Sequence, residues 1–162
     1  MKYIVCLFSF LAFVSVEAQK QAINKVLDQW HTAAETANFE SYFSSFTEDA
    51  YFIGTDASER WNIAQFKTYA KSSFEEAPAW KFIPVERNIE VSPDGKMAWF
   101  DEVLTSEHLG VCRSSGVLVF EDETWKIKHY VLSLIVPNEL AREVAKLKKS
   151  ADAQSLTELK NN

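Results

Sequence analysis

The stretch that decides the fold, residues 82–136, reads FIPVERNIEVSPDGKMAWFDEVLTSEHLGVCRSSGVLVFEDETWKIKHYVLSLIV. Apolar and polar side chains alternate along much of it, which is typical of β-strands with one buried face. Residues 92–96, SPDGK, have the composition of a hairpin turn, and the acidic run 121–124 joins the last two segments. The pattern predicts four strands, at 82–91, 97–107, 111–120 and 125–136, in an antiparallel meander.

The residues before this stretch show helical periodicity instead. Residues 22–37 carry an apolar stripe at helical spacing, residues 39–46 suit a short second helix, and 50–53 suit a brief strand. A third helix is predicted at 63–76, with Asn62 as its N-cap and Pro78 beyond its end. Pro137 precedes a last predicted helix at 138–148, followed by a polar, frayed tail at 150–162. Helices segregated from an antiparallel sheet predict an α+β domain, with the helices covering one side of a curved sheet.

The N-terminus has the pattern of a secretory leader. Lys2 is followed by an apolar run over residues 4–16, and Val16-Glu17-Ala18 provides small residues for cleavage. We predict a signal peptide at 1–18 and an exported mature chain, periplasmic or extracellular. The apolar run is short for a membrane span, so we expect no stable membrane insertion after processing. Cys6 leaves with the leader, and the remaining Cys112 has no partner for an internal disulfide.

Composition narrows the classes of partner. The net charge of −6 makes nucleic acid an unfavourable partner. Aromatic residues form 14% of the chain, enough to line either a core or a pocket. The three histidines, His31, His108 and His129, are widely separated, so neither a metal nor another cofactor is predicted.

Several segments resemble the nuclear transport factor 2-like superfamily, and within it the SnoaL-like proteins. The resemblance covers about residues 22–138 and is carried by FIGTD at 52–56, ERW at 59–61, AWFDE at 98–102, residues 110–118, and WKIKHY at 125–130 ending in Ser133. It implies a SnoaL-like domain at 20–138, followed by a C-terminal helix and polar tail at 139–162. It also implies a cone-shaped fold whose curved sheet and helices enclose a pocket open at one end, and it raises the expectation of a homodimer. Members include enzymes and noncatalytic binding proteins, so the resemblance selects no chemistry.

Alternate side chains of a strand share a face, which gives candidate pocket residues. The last strand has one face that is apolar except for an imidazole and a hydroxyl: Trp125, Ile127, His129, Val131, Ser133 and Ile135. We predict that this face lines the pocket. The sets predicted to face inward from the two preceding strands are Arg113, Ser115, Val117 and Val119, and Trp99, Asp101 and Val103.

These sets suggest a polar cluster of Asp101, Arg113 and His129. Asp101 would pair with Arg113, His129 would act as general acid or base, and Arg113 would stabilise developing negative charge. The ligand-binding residues are predicted to be Arg113, Ser133, Trp61, Trp80 and Trp99. The alternative is a structural ion pair beside a core histidine.

Glu59 precedes the third predicted helix, where the resemblance suggests the pocket mouth. It is a second acid–base candidate, and the alternative is a solvated or capping carboxylate.

Three functions remain open at this point. The first is noncatalytic binding of a small, partly apolar or aromatic ligand. The second is a cofactor-free isomerase, lyase or hydrolase that uses His129 with Asp101 or Glu59. The third is a dimeric interaction module that uses the convex face of the sheet, with Tyr130, Leu132 and Leu134 as candidate contacts.

Overall fold

The computed structural model describes residues 2–161, with side chains described from residue 16 onward. The helices are α1 (Lys2–Glu35), α2 (Phe39–Ser44), α3 (Ile63–Ala70) and α4 (Ala141–Asn161), and a 3-10 turn (Lys71–Phe74) follows α3. The strands are β1 (Phe46–Ile53), β2 (Arg60–Asn62), β3 (Ile83–Val91), β4 (Met97–Ser106), β5 (Gly110–Glu121) and β6 (Thr124–Leu134). The predicted leader lies mostly in residues whose side chains are not described, and its cleavage stays a prediction.

The six strands form one sheet in the order β2-β1-β6-β5-β4-β3. The predicted meander of β3 to β6 is confirmed, with antiparallel pairing throughout. Strand β1 lies parallel to β6, and the three-residue β2, which has no counterpart among the predicted strands, extends the edge beside β1. The predicted α+β fold with helices against a curved sheet is confirmed.

The N-terminal helices overlap the segments whose apolar stripes predicted them, but α1 begins at Lys2 instead of residue 22, and α3 ends at Ala70 with the 3-10 turn after it instead of continuing to residue 76. Helix α1 buries Ile23, Leu27, Trp30 and Ala34 and packs against β3, β6 and α2. Helix α3 starts in a capping box in which Asn62 Oδ1 accepts from the Gln65 N–H and the Gln65 side chain accepts from the Asn62 N–H. These contacts place the buried stripes against the inner face of the sheet.

The β3–β4 turn forms as predicted. The Ser92 N–H donates to the Met97 carbonyl at 2.8 Å, and Gly95 adopts a φ of 68°. That left-handed conformation is strained for residues with a Cβ, so glycine suits the position. The turn fixes the register of the hairpin.

A β-bulge in β6 changes which residues face the helices. Val117 pairs with His129 but Leu118 pairs with Ile127, so Lys128 is an extra residue in β6. Trp125 and Ile127 are buried before the bulge, and Tyr130 and Leu132 after it. A Cβ at Gly116 would lie 2.6 Å from both the His129 carbonyl oxygen and Phe100 Cε1, so glycine permits the close approach of the strands.

The C-terminus differs from the prediction. The tail was expected to fray after residue 150, but α4 continues to Asn161, and none of its side chains is buried. Its second half contains good helix formers, including Leu156, Glu158 and Leu159, and no glycine or proline. Local propensity therefore extends the helix without tertiary packing.

Candidate functional site

A cavity of about 150 Å³ lies between the inner face of the sheet and the helices. Its lining is dominated by aromatic side chains, among them Trp30, Tyr42, Phe52, Trp61, Phe66 and Trp80. Thr55, Glu59 and the half-exposed Tyr69 contribute to the lining at its more exposed side. Concave, mainly apolar sites with a few polar groups are typical of small-molecule binding.

Several aromatic rings of the cavity lie in planes nearly parallel to that of Phe66. The Phe66 ring is inclined by 6° to Trp80, 13° to Trp61 and 18° to Phe52, with a Phe66–Phe52 centroid distance of 3.9 Å. Trp61 in turn stacks on Tyr69. Offset stacking of this kind is favourable for aromatic pairs, and it gives flat walls suited to a planar ligand.

One wall of the cavity carries an imidazole backed by a buried carboxylate. His31, on α1, lines the cavity, and its Nε2 lies 3.0 Å from Oε1 of Glu102, on β4. The Glu102 side chain is completely buried, and its Oε1 also accepts from the Ser114 hydroxyl at 2.8 Å. Because a carboxylate only accepts hydrogen bonds, His31 Nε2 is the protonated donor and Nδ1 is the nitrogen left for other contacts.

Arg87 completes the network behind the cavity. Its Nε donates to Glu102 Oε2 at 2.8 Å, and a terminal nitrogen donates to Asn24 Oδ1 at 3.0 Å and Asp28 Oδ1 at 2.7 Å. The Arg87 side chain is only 7% exposed, so this is a buried ion pair joined to the solvent-facing Asp28. The other terminal nitrogen, Nη2, is buried without a hydrogen-bond partner among the described residues.

The network keeps Glu102 ionised. Burial by itself raises the pKa of the Glu102 carboxyl, but the hydrogen bond from His31 and the guanidinium of Arg87 outweigh it, so the pKa lies below its ordinary value. Opposite effects act on two tyrosines that line the cavity. Burial raises the pKa of Tyr130, and the Glu102 charge adds to this rise; burial also raises the pKa of Tyr42 well above its ordinary value. Both hydroxyls therefore stay protonated near neutral pH.

Glu59 lies where the resemblance suggested, beside the cavity, and its carboxylate closes a turn. Its Oε2 accepts from the Asp56 N–H at 3.1 Å. The side chain folds over Gly54, where a Cβ would come within 2.2 Å of Glu59 Oε2. This geometry corresponds to the capping alternative.

Some of the predicted site residues line the cavity, and the others lie on the outer face of the sheet. Trp61, Trp80 and Glu59 line the cavity. The inward orientation predicted for a second group is wrong, because these residues lie on the outer face: Trp99, Asp101, Arg113, His129 and Ser133. The cluster of Asp101, Arg113 and His129 around a cavity therefore does not form.

Two physical reasons account for this correction. In β6, the bulge at Lys128 reverses the alternation, so His129 and Ser133 face away although Trp125 and Ile127 face inward. In β4 and β5, the inner face is the one that α1 covers, and it holds Ala98, Phe100, Glu102 and Leu104, and Cys112, Ser114, Gly116 and Leu118. Asp101 pairs across the strands with Ser115, and Arg113 with Val103. Among the salt bridges of the described residues, none joins Asp101 to Arg113.

The same bulge changes the predicted dimer contacts. Tyr130 and Leu132 are buried on the inner face and cannot form a convex patch, whereas Leu134 is about half exposed. The exposed apolar side chains of the outer face include Met97 and Trp99.

His31, Glu102 and Arg87 were not among the predicted site residues. A signal existed for two of them. Glu102 is predicted to lie on the same face of its strand as the apolar Phe100 and Leu104, and His31 follows Leu27 by one helical turn. A carboxylate and an imidazole on two otherwise apolar faces indicate a buried polar contact.

Among residues 16–161, no group of three or more His, Cys, Asp or Glu side chains could hold a metal ion. No helix in the described residues is long and apolar enough to cross a membrane.

The sequence matches the SnoaL-like domain family over residues 23–137. The chain belongs to the SnoaL-like domain family. The matched range runs from the buried Ile23, within α1, to three residues past the end of β6, so the cavity lies within the SnoaL-like domain and α4 lies outside it. No curated protein matches the chain.

Solved structures share the fold of this SnoaL-like domain. A nuclear transport factor 2-like protein of unknown function from Pseudomonas putida is 11% identical with a TM-score of 0.63, covering 76% of this chain and 91% of its own. A nuclear transport factor 2-like protein from Cytophaga hutchinsonii is 21% identical with a TM-score of 0.61, and the alignment covers 72% of this chain and 98% of that protein. The association domain of CaMKII from C. elegans is 18% identical with a TM-score of 0.59, covering 74% and 98%. At these identities the likeness concerns the fold alone.

Proposed function

We propose that this SnoaL-like domain binds a small, partly aromatic molecule in the cavity between the helices and the sheet. The observation that carries the proposal is the pairing of flat aromatic walls with a single buried imidazole, His31, held by Glu102. The aromatic walls provide apolar contact area, and a buried polar group fixes the orientation of a ligand.

Native mass spectrometry of the chain from Gln19 onward, after incubation with a metabolite extract, tests this proposal. We expect a retained compound of defined mass, lost in Trp61→Ala because Trp61 lines the cavity. Trp99→Ala is the matched control, since Trp99 is half exposed on the outer face. A compound retained equally by both variants, or retention of nothing, would contradict binding in this cavity.

A second candidate is acid–base catalysis without a cofactor, with His31 in the role that the sequence analysis gave to His129. It is favoured by Glu102, which fixes the His31 tautomer in the way that a carboxylate orients a catalytic histidine. In the same experiment, a compound recovered with altered mass or isomeric form would support the candidate. An unchanged compound would leave binding as the function.

Self-association through the outer face of the sheet is a further proposal, supported by the exposed apolar side chains Met97 and Trp99. We expect sedimentation velocity to show a dimer that dissociates in Trp99→Glu, because the substitution places a charge in the contact. Leu147→Glu, on the exposed face of α4, should leave the dimer intact. A monomer at all concentrations would refute this interface.

Export of the chain is also proposed, on the basis of Lys2, the apolar run and the small residues before Gln19. The intact mass of the protein recovered outside the cytoplasm would show whether cleavage follows Ala18.

A further inference from the structure

We propose that the ligand is an uncharged single-ring compound carrying a hydroxyl group, and that Nδ1 of His31 accepts the hydrogen bond from this hydroxyl. The inference rests on the proposed function and specifies the chemistry of the ligand. It follows from the size of the cavity, the tautomer of His31 and the charges around the site.

The size of the cavity limits the ligand to about one ring. Its volume is about 150 Å³. An engineered apolar cavity of roughly this volume in another protein holds one benzene molecule. The nearly parallel planes of Phe66, Trp61 and Trp80 favour a flat ring over a branched aliphatic group.

The tautomer of His31 determines what the ligand must offer. Nε2 donates to Glu102, so in the neutral imidazole Nδ1 carries the lone pair. No described residue forms a hydrogen bond with Nδ1. Nδ1 is also absent from the side-chain atoms that are fully buried without a partner, so it retains accessible surface. Since His31 lines the cavity, Nδ1 is available to a ligand that donates a hydrogen bond.

The charges around the cavity favour a neutral ligand. The Arg87 guanidinium donates to Glu102 at 2.8 Å, so this cation is already paired with a buried carboxylate. Arg87 lies behind the wall, with Asp28 on its solvent side. Of the side chains at positions 16–161, no lysine or arginine lines the cavity, whereas Glu59 does. An anionic ligand would therefore meet a carboxylate without a compensating cation.

The two tyrosines supply the complementary donors. Tyr42 and Tyr130 line the same cavity, and burial keeps both hydroxyls protonated. A ligand hydroxyl can donate a hydrogen bond to His31 and accept one from a tyrosine hydroxyl at the same time. An ether accepts but does not donate, so it would leave the His31 lone pair unpaired.

Isothermal titration at pH 8 with phenol, anisole, toluene and benzoate tests the inference on the chain from Gln19 onward. We expect phenol to bind about tenfold more tightly than anisole or toluene, the factor that corresponds to one hydrogen bond. We expect benzoate to bind more weakly than phenol. In His31→Leu, the preference for phenol over toluene should fall to about twofold or less while toluene still binds. His129→Leu, on the outer face, is the matched control and should keep the full preference.

The outcomes separate this inference from the proposed function. Equal binding of phenol, anisole and toluene would overturn the hydroxyl requirement and leave cavity binding intact. Benzoate binding more tightly than phenol would overturn the neutral ligand, and a phenol preference that survives in His31→Leu would overturn the anchor. If all four probes fail but the extract yields a larger retained compound, the single-ring class is wrong and the binding function stands. Failure of both the probes and the extract would reject both proposals. The wild-type comparison of phenol with anisole decides the hydroxyl requirement even if the His31 variant does not fold.

Discussion

Replacing Glu102 by alanine should lower the free energy of unfolding by about 3–5 kcal/mol, the typical result of removing one partner from a buried ion pair. The Glu102 side chain is completely buried and receives hydrogen bonds from His31, Arg87 and Ser114. Its loss leaves the Arg87 guanidinium, itself 7% exposed, without its buried counter-charge. Chemical denaturation followed by tryptophan fluorescence measures the change.

The adjacent residue provides the control. Asp101 is an exposed carboxylate on the same strand, and its hydrogen-bond contact is with the Asn88 side chain at 3.3 Å. We expect Asp101→Ala to change the stability by less than about 0.5 kcal/mol. Similar effects of the two substitutions would contradict the assignment of Glu102 to a buried network.

The pH dependence of the same network has a defined sign. The folded-state pKa of Glu102 is lowered, so ionisation of Glu102 contributes stability above the pKa of an unfolded glutamate, about 4.3. This contribution is lost as the pH falls through the lower folded-state value. The stability difference between the wild type and Glu102→Gln should therefore be largest above about pH 5 and shrink on acidification. A difference that grows at acidic pH would contradict the lowered pKa.

Phe66→Ala should lower the free energy of unfolding by about 3–5 kcal/mol, as is typical when a buried aromatic side chain is truncated. Phe66 is 1% exposed and contacts the rings of Phe52, Tyr42 and Trp80. The substitution removes the ring around which the aromatic cavity is organised. Thermal and urea unfolding measure the loss.

Lys67→Ala is the matched control, because Lys67 is the next residue of α3 and is exposed. We expect its stability to stay within about 0.5 kcal/mol of the wild type. If Phe66→Ala still folds, its enlarged cavity should accept a two-ring compound such as naphthol that the wild type excludes. Unchanged stability of Phe66→Ala would show that the ring cluster is not part of the core.

Much of the fold could be predicted from local pattern. The hairpin at 92–96, the four long strands and the Asn62 cap follow from residues that are neighbours in sequence. Turn chemistry, capping and hydrophobic periodicity act over a few residues, so the sequence reveals them directly. The SnoaL-like character is carried by the same strands and is confirmed by the family match.

The candidate site could be predicted only in part. Trp61, Trp80 and Glu59 were expected beside the cavity and lie there. His129, Asp101 and Arg113 were expected inside and lie outside, because alternation along a strand gives two faces without saying which one the helices cover. A single extra residue, Lys128, then reverses the alternation within β6.

The sequence by itself determined the α+β class, the order of the helices and of the five longer strands, and the aromatic character of the interior, since these depend on local propensity and composition. The tertiary structure decided which face of each strand borders the cavity and which polar groups meet there. His31 and Glu102 are 71 residues apart in sequence, and their contact at 3.0 Å exists only because α1 packs across the meander. A burial preference can be read from one residue, but the partner that satisfies a buried charge is fixed by the packing of distant segments.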